Sequence, residues 1–369
     1  MDAREAVAFN DFAGANFTEE LEAIRRVLES GWLILGDEVR AFEQAWAARC
    51  GVSNAVGVGN GLDAIEIGLR GVGIGPGDKV ITTPMTAVAT ILAILRAGAT
   101  PVLADIDPLT GLLDPESVER CIGPRTRAVL LVHLYGQMRD LQRWSALCIA
   151  HGLLLLEDCA QSHDAQFDGL RGGAWGSFGA YSFYPTKNLG AAGDAGALVT
   201  EDGDLAVLAR SLRNYGQSNR YEHPLIGLNS RLDEVQAAIL SVHLPRLAGW
   251  TARRRQIAER YRSEISNPDV TLLAPPNSPE NHVHHLFVVL SEDRNALAAH
   301  LADRGIESLI HYPVPAHRQS SLAELKRDSS GLKRAETHAS TCLSLPCAPH
   351  LSDTDVARVI DAVNVFRPS

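Results

Sequence analysis

Apolar positions in this chain fall into two regimes. From Ala55 to Glu157, short apolar runs alternate with stretches of helical spacing. Ala55–Val58, Lys79–Thr82, Pro101–Asp105, Ala128–Leu134 and Leu153–Glu157 read as strands. Leu62–Leu69, Thr86–Arg96, Pro115–Cys121 and Leu141–His151 read as the helices between them. Near-continuous apolar strands separated by helices indicate a parallel sheet covered on both faces. Ala180–Phe183 and Ala197–Thr200 add two more strands, followed by helices over Leu205–Leu212 and Leu232–Leu244. Ahead of this block, Phe17–Leu28 and Glu38–Cys50 have helical spacing, and a glycine-bracketed apolar segment, Ser30–Gly36, lies between them.

The pattern changes near Pro245. A charged helix begins at Trp250 and carries Arg253-Arg254-Arg255, expected to be a solvated face. A strand at Leu286–Leu290, a helix at Arg294–Arg304, a proline-rich stretch at His311–Pro315 and a closing helix at Asp355–Phe366 follow. The expected fold class is α/β. A large domain spans residues 1–245, and a smaller α/β domain spans 246–369, with the N-terminal segment a candidate to pack on the smaller lobe. The chain has no internal repeat and no low-complexity tract.

Composition narrows the function. The 369 residues suffice for two lobes, and a net charge of −10 argues against a nucleic-acid surface. The six cysteines form no CxxC pair, which fits a reducing compartment better than a disulfide frame or a zinc site. MDAREAVAFNDF lacks a basic region followed by an apolar core, so no signal peptide is expected. No apolar run approaches a membrane span, and a cytoplasmic location is the expectation.

Gly179–Gly196 (GAYSFYPTKNLGAAGDAG) holds Lys187, the only lysine between Lys79 and Lys326. Aromatics and glycines around a lysine favour its neutral amine, which attacks carbonyls. A Schiff base with pyridoxal phosphate and a solvated loop lysine both fit this stretch alone. Asp158 ends the Leu153–Glu157 strand, at the sheet edge where ligands gather, and could serve as counter-ion to a protonated ring nitrogen or cap the next loop. Gly59-Asn60-Gly61-Leu62-Asp63, between strand and helix, suits a phosphate or a plain turn. Ser182, five residues before Lys187, could donate its hydroxyl to the same phosphate or be an ordinary strand serine. Asn229-Ser230-Arg231 binds phosphate or carboxylate, or caps a helix. His282, His284 and His285 form an H-x-H-H cluster in which a strand would put His282 and His284 on one face; no third ligand and carboxylate can be placed beside that pair, and a packing or surface role is preferred to metal binding.

Together these motifs resemble the DegT-type pyridoxal-phosphate-dependent nucleotide-sugar aminotransferases of fold type I. The resemblance runs from about Gly31 to the C-terminus through GWLILGDEV, VGVGNGLDAI, GIGPGDKVITTP, HLYGQ, EDCAQSHDA, SFYPTKNLGAAGDAGALVT, RNYGQ, GLNSRLDEVQAAIL and IHYPVP. It implies that Lys187 is the Schiff-base lysine, Asp158 the ring-nitrogen partner and Gln161 the residue near the phenolic oxygen. It implies phosphate contacts from the Gly61 and Leu62 backbone and the Ser182 hydroxyl, and from Asn229 to the neighbouring subunit, hence a homodimer with shared active sites. His163, Tyr184, Tyr215, His311 and Tyr312 lie in motifs near the expected sugar site. Relatives place an aromatic over the pyridine ring where this chain has Ala87, so cover from elsewhere, or a barer ring face, is expected. The activity implied is transfer of an amino group from L-glutamate to a nucleotide-linked keto-sugar. VGVGNGLDAI looks closer to members acting at C-3 of dTDP-3-keto-6-deoxy sugars. A 4-keto sugar, a cyclitol, a dehydratase and a non-catalytic regulator on the same fold are the alternatives; dehydratases of the family carry histidine where this chain keeps Lys187.

Overall fold

Strands β1 (Asn54–Val58), β2 (Lys79–Thr82), β3 (Thr100–Leu103), β4 (Thr126–Val132) and β5 (Leu154–Asp158) follow the alternation of apolar runs closely. A small hairpin, β6 (Gln166–Phe167) and β7 (Leu170–Arg171), precedes β8 (Gly179–Ser182) and β9 (Gly196–Thr200). Later come β10 (Thr271–Leu272), β11 (Phe287–Leu290), β12 (Lys326–Arg327) and β13 (Cys342–Leu345). The structure, a computed structural model, describes residues 6–10 and 17–368. Most of the MDAREAVAFNDF stretch lies outside them.

Eight strands form one sheet in the order β1-β9-β8-β5-β4-β2-β3-β12. Pairing is parallel from β8 to β12, while β9 runs antiparallel to both its neighbours. Successive strand residues feed different cores. Val80, Leu130 and Leu156 pack with Ile65, Ile67 and Phe178 on one face. Ile81, Val129, Leu131 and Leu155 pack with Trp144 and Leu147 on the other. A strand alternates its side chains, so only a sheet covered on both faces needs apolar residues at every position. Truncating one such fully buried leucine to alanine costs about 2–5 kcal/mol.

Helix ends follow local chemistry. Asn60 caps Gly61–Gly71 by accepting the Asp63 N–H, and Asp114 caps Pro115–Cys121 with Pro115 in the first turn. Gly152 ends Leu141–His151 at φ 63°, where a Cβ would be strained. The expected helix at Thr86 begins at Val88, because Ala87 is extended at φ −58°, ψ 139°. The expected strand to Leu134 stops at Val132, and Leu134–Gly136 turns with Tyr135 at φ 62°.

The second sheet, β10-β11-β13, has its own core with the helices Leu247–Glu264, Arg294–Ala302 and Asp353–Val365. Val7 joins it: its N–H donates to Gly305 C=O, and Glu307 N–H donates to its carbonyl. The arginine run is not a solvated face. Three consecutive helix residues point about 100° apart. Arg254 is therefore buried, donating to the carbonyls of His284, His285 and Cys347, while Arg255 donates to His282 C=O.

The chain then returns to the large sheet, where β12 extends it beside β3. Asp328, fully buried, fastens this crossing by accepting from Ser117 Oγ at 2.5 Å and from Arg120 Nη2 at 2.7 Å. Burial pushes its carboxyl pKa up, but Arg120 and Ser117 outweigh that and hold it at about 2, against an ordinary 3.8. A depressed carboxyl contributes stability fully above its unfolded value and loses it as pH falls through the folded one. Asp328→Asn should lower the unfolding free energy at pH 7 by about 1–3 kcal/mol. In a denaturant series, that deficit should shrink between pH 3.8 and about 2. A deficit independent of pH would contradict this account.

Candidate functional site

The carboxyl ends of the parallel strands, the opening of Gly61–Gly71 and the turn after β8 meet at one edge of the large sheet, where ligands of open α/β sheets bind. Asp158, the last residue of β5, is buried there. Its Oδ2 accepts the Thr90 hydroxyl at 2.7 Å and its Oδ1 accepts the Ala160 N–H at 3.1 Å. Desolvation raises its pKa, opposed by Thr90, Ala160, Lys187 and His133 in that order. Thr90 in turn lies 2.7 Å from the Thr86 hydroxyl. Behind the strand end, His133 N–H donates to Asp158 C=O and its Nε2 meets Glu157 at 2.8 Å.

Lys187 faces Asp158 from the turn after β8, held by its N–H to Tyr184 C=O at 2.8 Å. Desolvation lowers its pKa to about 8, while Asp158 pulls upward. The charge on Lys187 reaches three histidines that burial already keeps neutral. His163 is lowered to about 3, His311 to about 4, and His285 well below its ordinary value. His285 holds Asn188 Oδ1 through Nδ1, and His311 holds Ser344 through Nδ1.

Beside this pair lies a cradle. A Cβ on Gly61 would come within 2.9 Å of Ser182 Cβ, so glycine is what lets the helix start reach the β8 end. The N–H groups of Gly61 and Leu62 precede any intrahelical acceptor and open onto that junction. Ser230 ties the loop in place, accepting Gly59 N–H at 3.0 Å and donating to Asp63 at 2.7 Å. Asn229, next to it, is exposed.

Gln161 joins the turn after β4 to the HYPVP stretch. Its Oε1 accepts the Tyr135 N–H at 2.6 Å, which turns its Nε2 to Tyr312 Oη at 3.1 Å. Desolvation, with Asp158 adding to it, pushes the Tyr312 phenol up to about 12.

Other residues singled out from the sequence stand at varying distance from this edge. His163 is fully buried against Trp46, Tyr181 and Phe183, and donates from Nε2 to Ser182 C=O, leaving Nδ1 without a partner among the described residues. Tyr184 and Tyr215 are about half exposed, with Tyr215 beneath the Arg231 guanidinium at 5.3 Å. Ala87 lies one turn from Thr90, whose N–H donates to its carbonyl. His282 and His284 stack at 3.8 Å, both buried and kept neutral, away from the Lys187 side that His285 faces. Sequence reading missed Thr86, Thr90 and Tyr135, and weighed His285 only as part of a histidine cluster. The threonine pair had a signal: two hydroxyls four residues apart in the otherwise apolar MTAVATILAIL.

Chemically, the edge combines a desolvated amine, a buried carboxylate and a nest of free N–H groups with a hydroxyl. The signature of the DegT/DnrJ/EryC1/StrS aminotransferase family matches residues 16–364, and the chain belongs to that family. It is 48% identical over 344 residues to a dTDP-3-amino-3,4,6-trideoxy-alpha-D-glucose transaminase of Streptomyces venezuelae, covering 92% of this chain and 90% of the relative. It is 46% identical over 345 residues to the erythromycin biosynthesis sensory transduction protein EryC1 of Saccharopolyspora erythraea, covering 92% and 93%. The fold superposes on the crystal structure of S. venezuelae DesV in complex with a ketimine intermediate, with a TM-score of 0.94, 46% identity and 98% of each chain covered. The fold is therefore type I, and aminotransferases of this family depend on pyridoxal 5′-phosphate.

In cofactor-free protein, labelling of Lys187 by trinitrobenzenesulfonate, followed by peptide mapping, should titrate near pH 8. Asp158→Asn should move that midpoint lower, because the carboxylate favours the ammonium form. A midpoint at the ordinary 10.5 would contradict the geometry.

Proposed function

We propose that this protein transfers the amino group of L-glutamate to a nucleotide-linked keto-sugar, with a dTDP-3-keto-6-deoxyhexose as the substrate class. The observation that carries the reading is the convergence of Lys187 and Asp158 on one desolvated edge. The residues present fit pyridoxal 5′-phosphate. The free N–H groups of Gly61 and Leu62 and the Ser182 hydroxyl would hold its phosphate, and the glycine cradle leaves room for it. Asp158 would meet its ring nitrogen, the Gln161 amide its phenolic oxygen, and Ala87 would lie toward its ring face. When bound, this cofactor supplies a carbonyl that condenses with amines and a ring that accepts electrons from the adjacent carbon.

The protein's own part is proton handling and placement. A lysine titrating near 8 is still mostly an ammonium at physiological pH, but its neutral share is roughly a hundredfold or more above that of an ordinary lysine, so Lys187 can anchor the cofactor through Nζ. Once displaced by the donor, Nζ takes up and returns the proton that leaves the donor's α-carbon. Asp158, whose two oxygens accept from Thr90 and Ala160, would as an anion favour the protonated ring nitrogen. His311, Tyr312, Tyr184 and Tyr215 would orient the sugar nucleotide, with His163 supporting Ser182 from behind.

The 3-amino product in the name of the Streptomyces venezuelae relative supports a C-3 ketone. Asn229 would complete the phosphate site of a second copy. Exposed apolar side chains on the single chain, including Trp32, Leu33, Tyr221 and Ile226, support a homodimer. No described helix is long and apolar enough to cross a membrane, in keeping with action in the cytoplasm. A purely regulatory role, which the EryC1 name raises, gives no reason to hold a desolvated amine against a buried carboxylate.

Incubation with L-glutamate and either the 3-keto or the 4-keto dTDP-sugar, followed by mass spectrometry, tests the reaction. The 3-keto isomer should yield an amino sugar with equimolar 2-oxoglutarate, and Lys187→Ala should abolish it; an active alanine variant would sink the reading. Sharing of sites is tested by mixing inactive Lys187→Ala with impaired Asn229→Ala. Hybrid dimers would hold one intact site, so activity should return on mixing, and no recovery would overturn the shared-site arrangement.

A further inference from the structure

We propose that Thr90, ordered by Thr86, is a positioning residue for Asp158: its hydroxyl fixes the rotation of that carboxylate and keeps it an anion toward the cofactor's ring nitrogen. The inference deepens the aminotransferase reading and rests on it for the ring nitrogen alone.

The proton inventory supplies the direction of each bond. An ionised carboxylate only accepts, so the 2.7 Å contact to Asp158 Oδ2 takes the single hydroxyl proton of Thr90. The 2.7 Å contact between Thr90 and Thr86 must then be donated by Thr86. Two hydroxyls thus point the same way, each polarising the next, in a place where Thr90 is fully buried and Thr86 nearly so. Fully formed bonds of this kind hold a side chain in one orientation. With Ala160 N–H on Oδ1 and Thr90 on Oδ2, neither oxygen can swing without losing a partner.

The bond also answers a specific cost. Burial disfavours the Asp158 anion, and among the opposing contributions Thr90 ranks first. The other groups facing Asp158 are Lys187 from the turn after β8, His133 from the end of β4, and Cys159 and Tyr312, whose own ionisation Asp158 opposes. Lys187 serves as counter-charge only while it is an ammonium, and it has to be neutral to react. Thr90 donates in every state of the cycle, so it maintains the carboxylate when Lys187 does not. Val88–Arg96 is otherwise almost wholly apolar, and a buried threonine there has no packing advantage over valine, which has the same shape.

The test compares Thr90→Val, Thr90→Ser and Thr86→Val in full-length protein. In cofactor-free samples labelled with [4-13C]aspartate, the Asp158 infrared band, assigned by subtracting Asp158→Asn, should titrate at higher pH in Thr90→Val. In the reconstituted enzyme the same variant should lose about tenfold or more in kcat, as expected for a lost bond to a charged group, with KM for the nucleotide sugar unchanged. Thr90→Ser should restore most of both readouts, because it keeps the hydroxyl and loses only the methyl. Thr86→Val should shift both in the same direction by less, and it decides the matter if Thr90→Val does not fold. An unshifted carboxylate band, or a serine variant as impaired as the valine, would overturn the proposal. Wild-type protein inactive toward every keto-sugar would instead count against the aminotransferase reading, and the infrared titration would still decide what Thr90 does to Asp158.

Discussion

Removing water from around an amine and a carboxylate that face each other is the constraint on which this site is built. Desolvation acts on the two in opposite directions, lowering Lys187 toward about 8 and raising Asp158. Their attraction offsets part of both costs, but a salt bridge tight enough to cancel them would leave the lysine fully charged and unreactive. The surroundings strike the balance instead. Asp158 takes hydrogen bonds that do not depend on Lys187, and Lys187 takes none from the described residues to its Nζ. Burial holds the three histidines that feel its charge, His163, His285 and His311, below their ordinary values.

Topology explains why these groups meet. Parallel strands place their carboxyl ends along one edge, and β5 and β8, neighbours in the sheet, deliver Asp158 and Ser182 there. The glycines then set how closely the backbones approach. A Cβ at Gly61 would meet Ser182, and one at Gly196 would come within 2.4 Å of the Asn60 carbonyl carbon. Substitution at either position would push the helix start away from the β8 end and open the cradle. The HYPVP stretch also reaches this edge, with Tyr312 on Gln161, while its His311 is held by Ser344 of β13.

Much of this was legible before any coordinates. The parallel sheet followed from apolar runs too dense for a one-sided strand, since Val80 and Ile81, or Leu155 and Leu156, serve opposite cores. Lys187, Asp158 and Gly61 stood out because each is an odd residue for a plain element: a lone lysine among aromatics, an acid ending a leucine-rich strand, a glycine opening a helix. What escaped was set by tertiary contact. Lys326–Arg327 is two charged residues with no periodicity to read, yet it pairs with Val102 and Leu103. Arg254 looked like surface because composition does not tell which of three adjacent arginines the helix turns inward. Thr90 could be read only as a polar residue in an apolar helix, because its partner is a carboxylate 68 residues away.

The strand that returns to the edge of the large sheet has a consequence for biogenesis. While the nascent polypeptide is still short of Lys326, Thr100–Leu103 is an open border with unpaired amides and carbonyls, and the pocket for the Asp328 carboxylate beside Ser117 and Arg120 is vacant. The first sheet therefore lacks its last strand while only the chain before Lys326 has left the ribosome. Its completion waits for a segment made almost last, and the exposed border in that interval is where premature self-association would start.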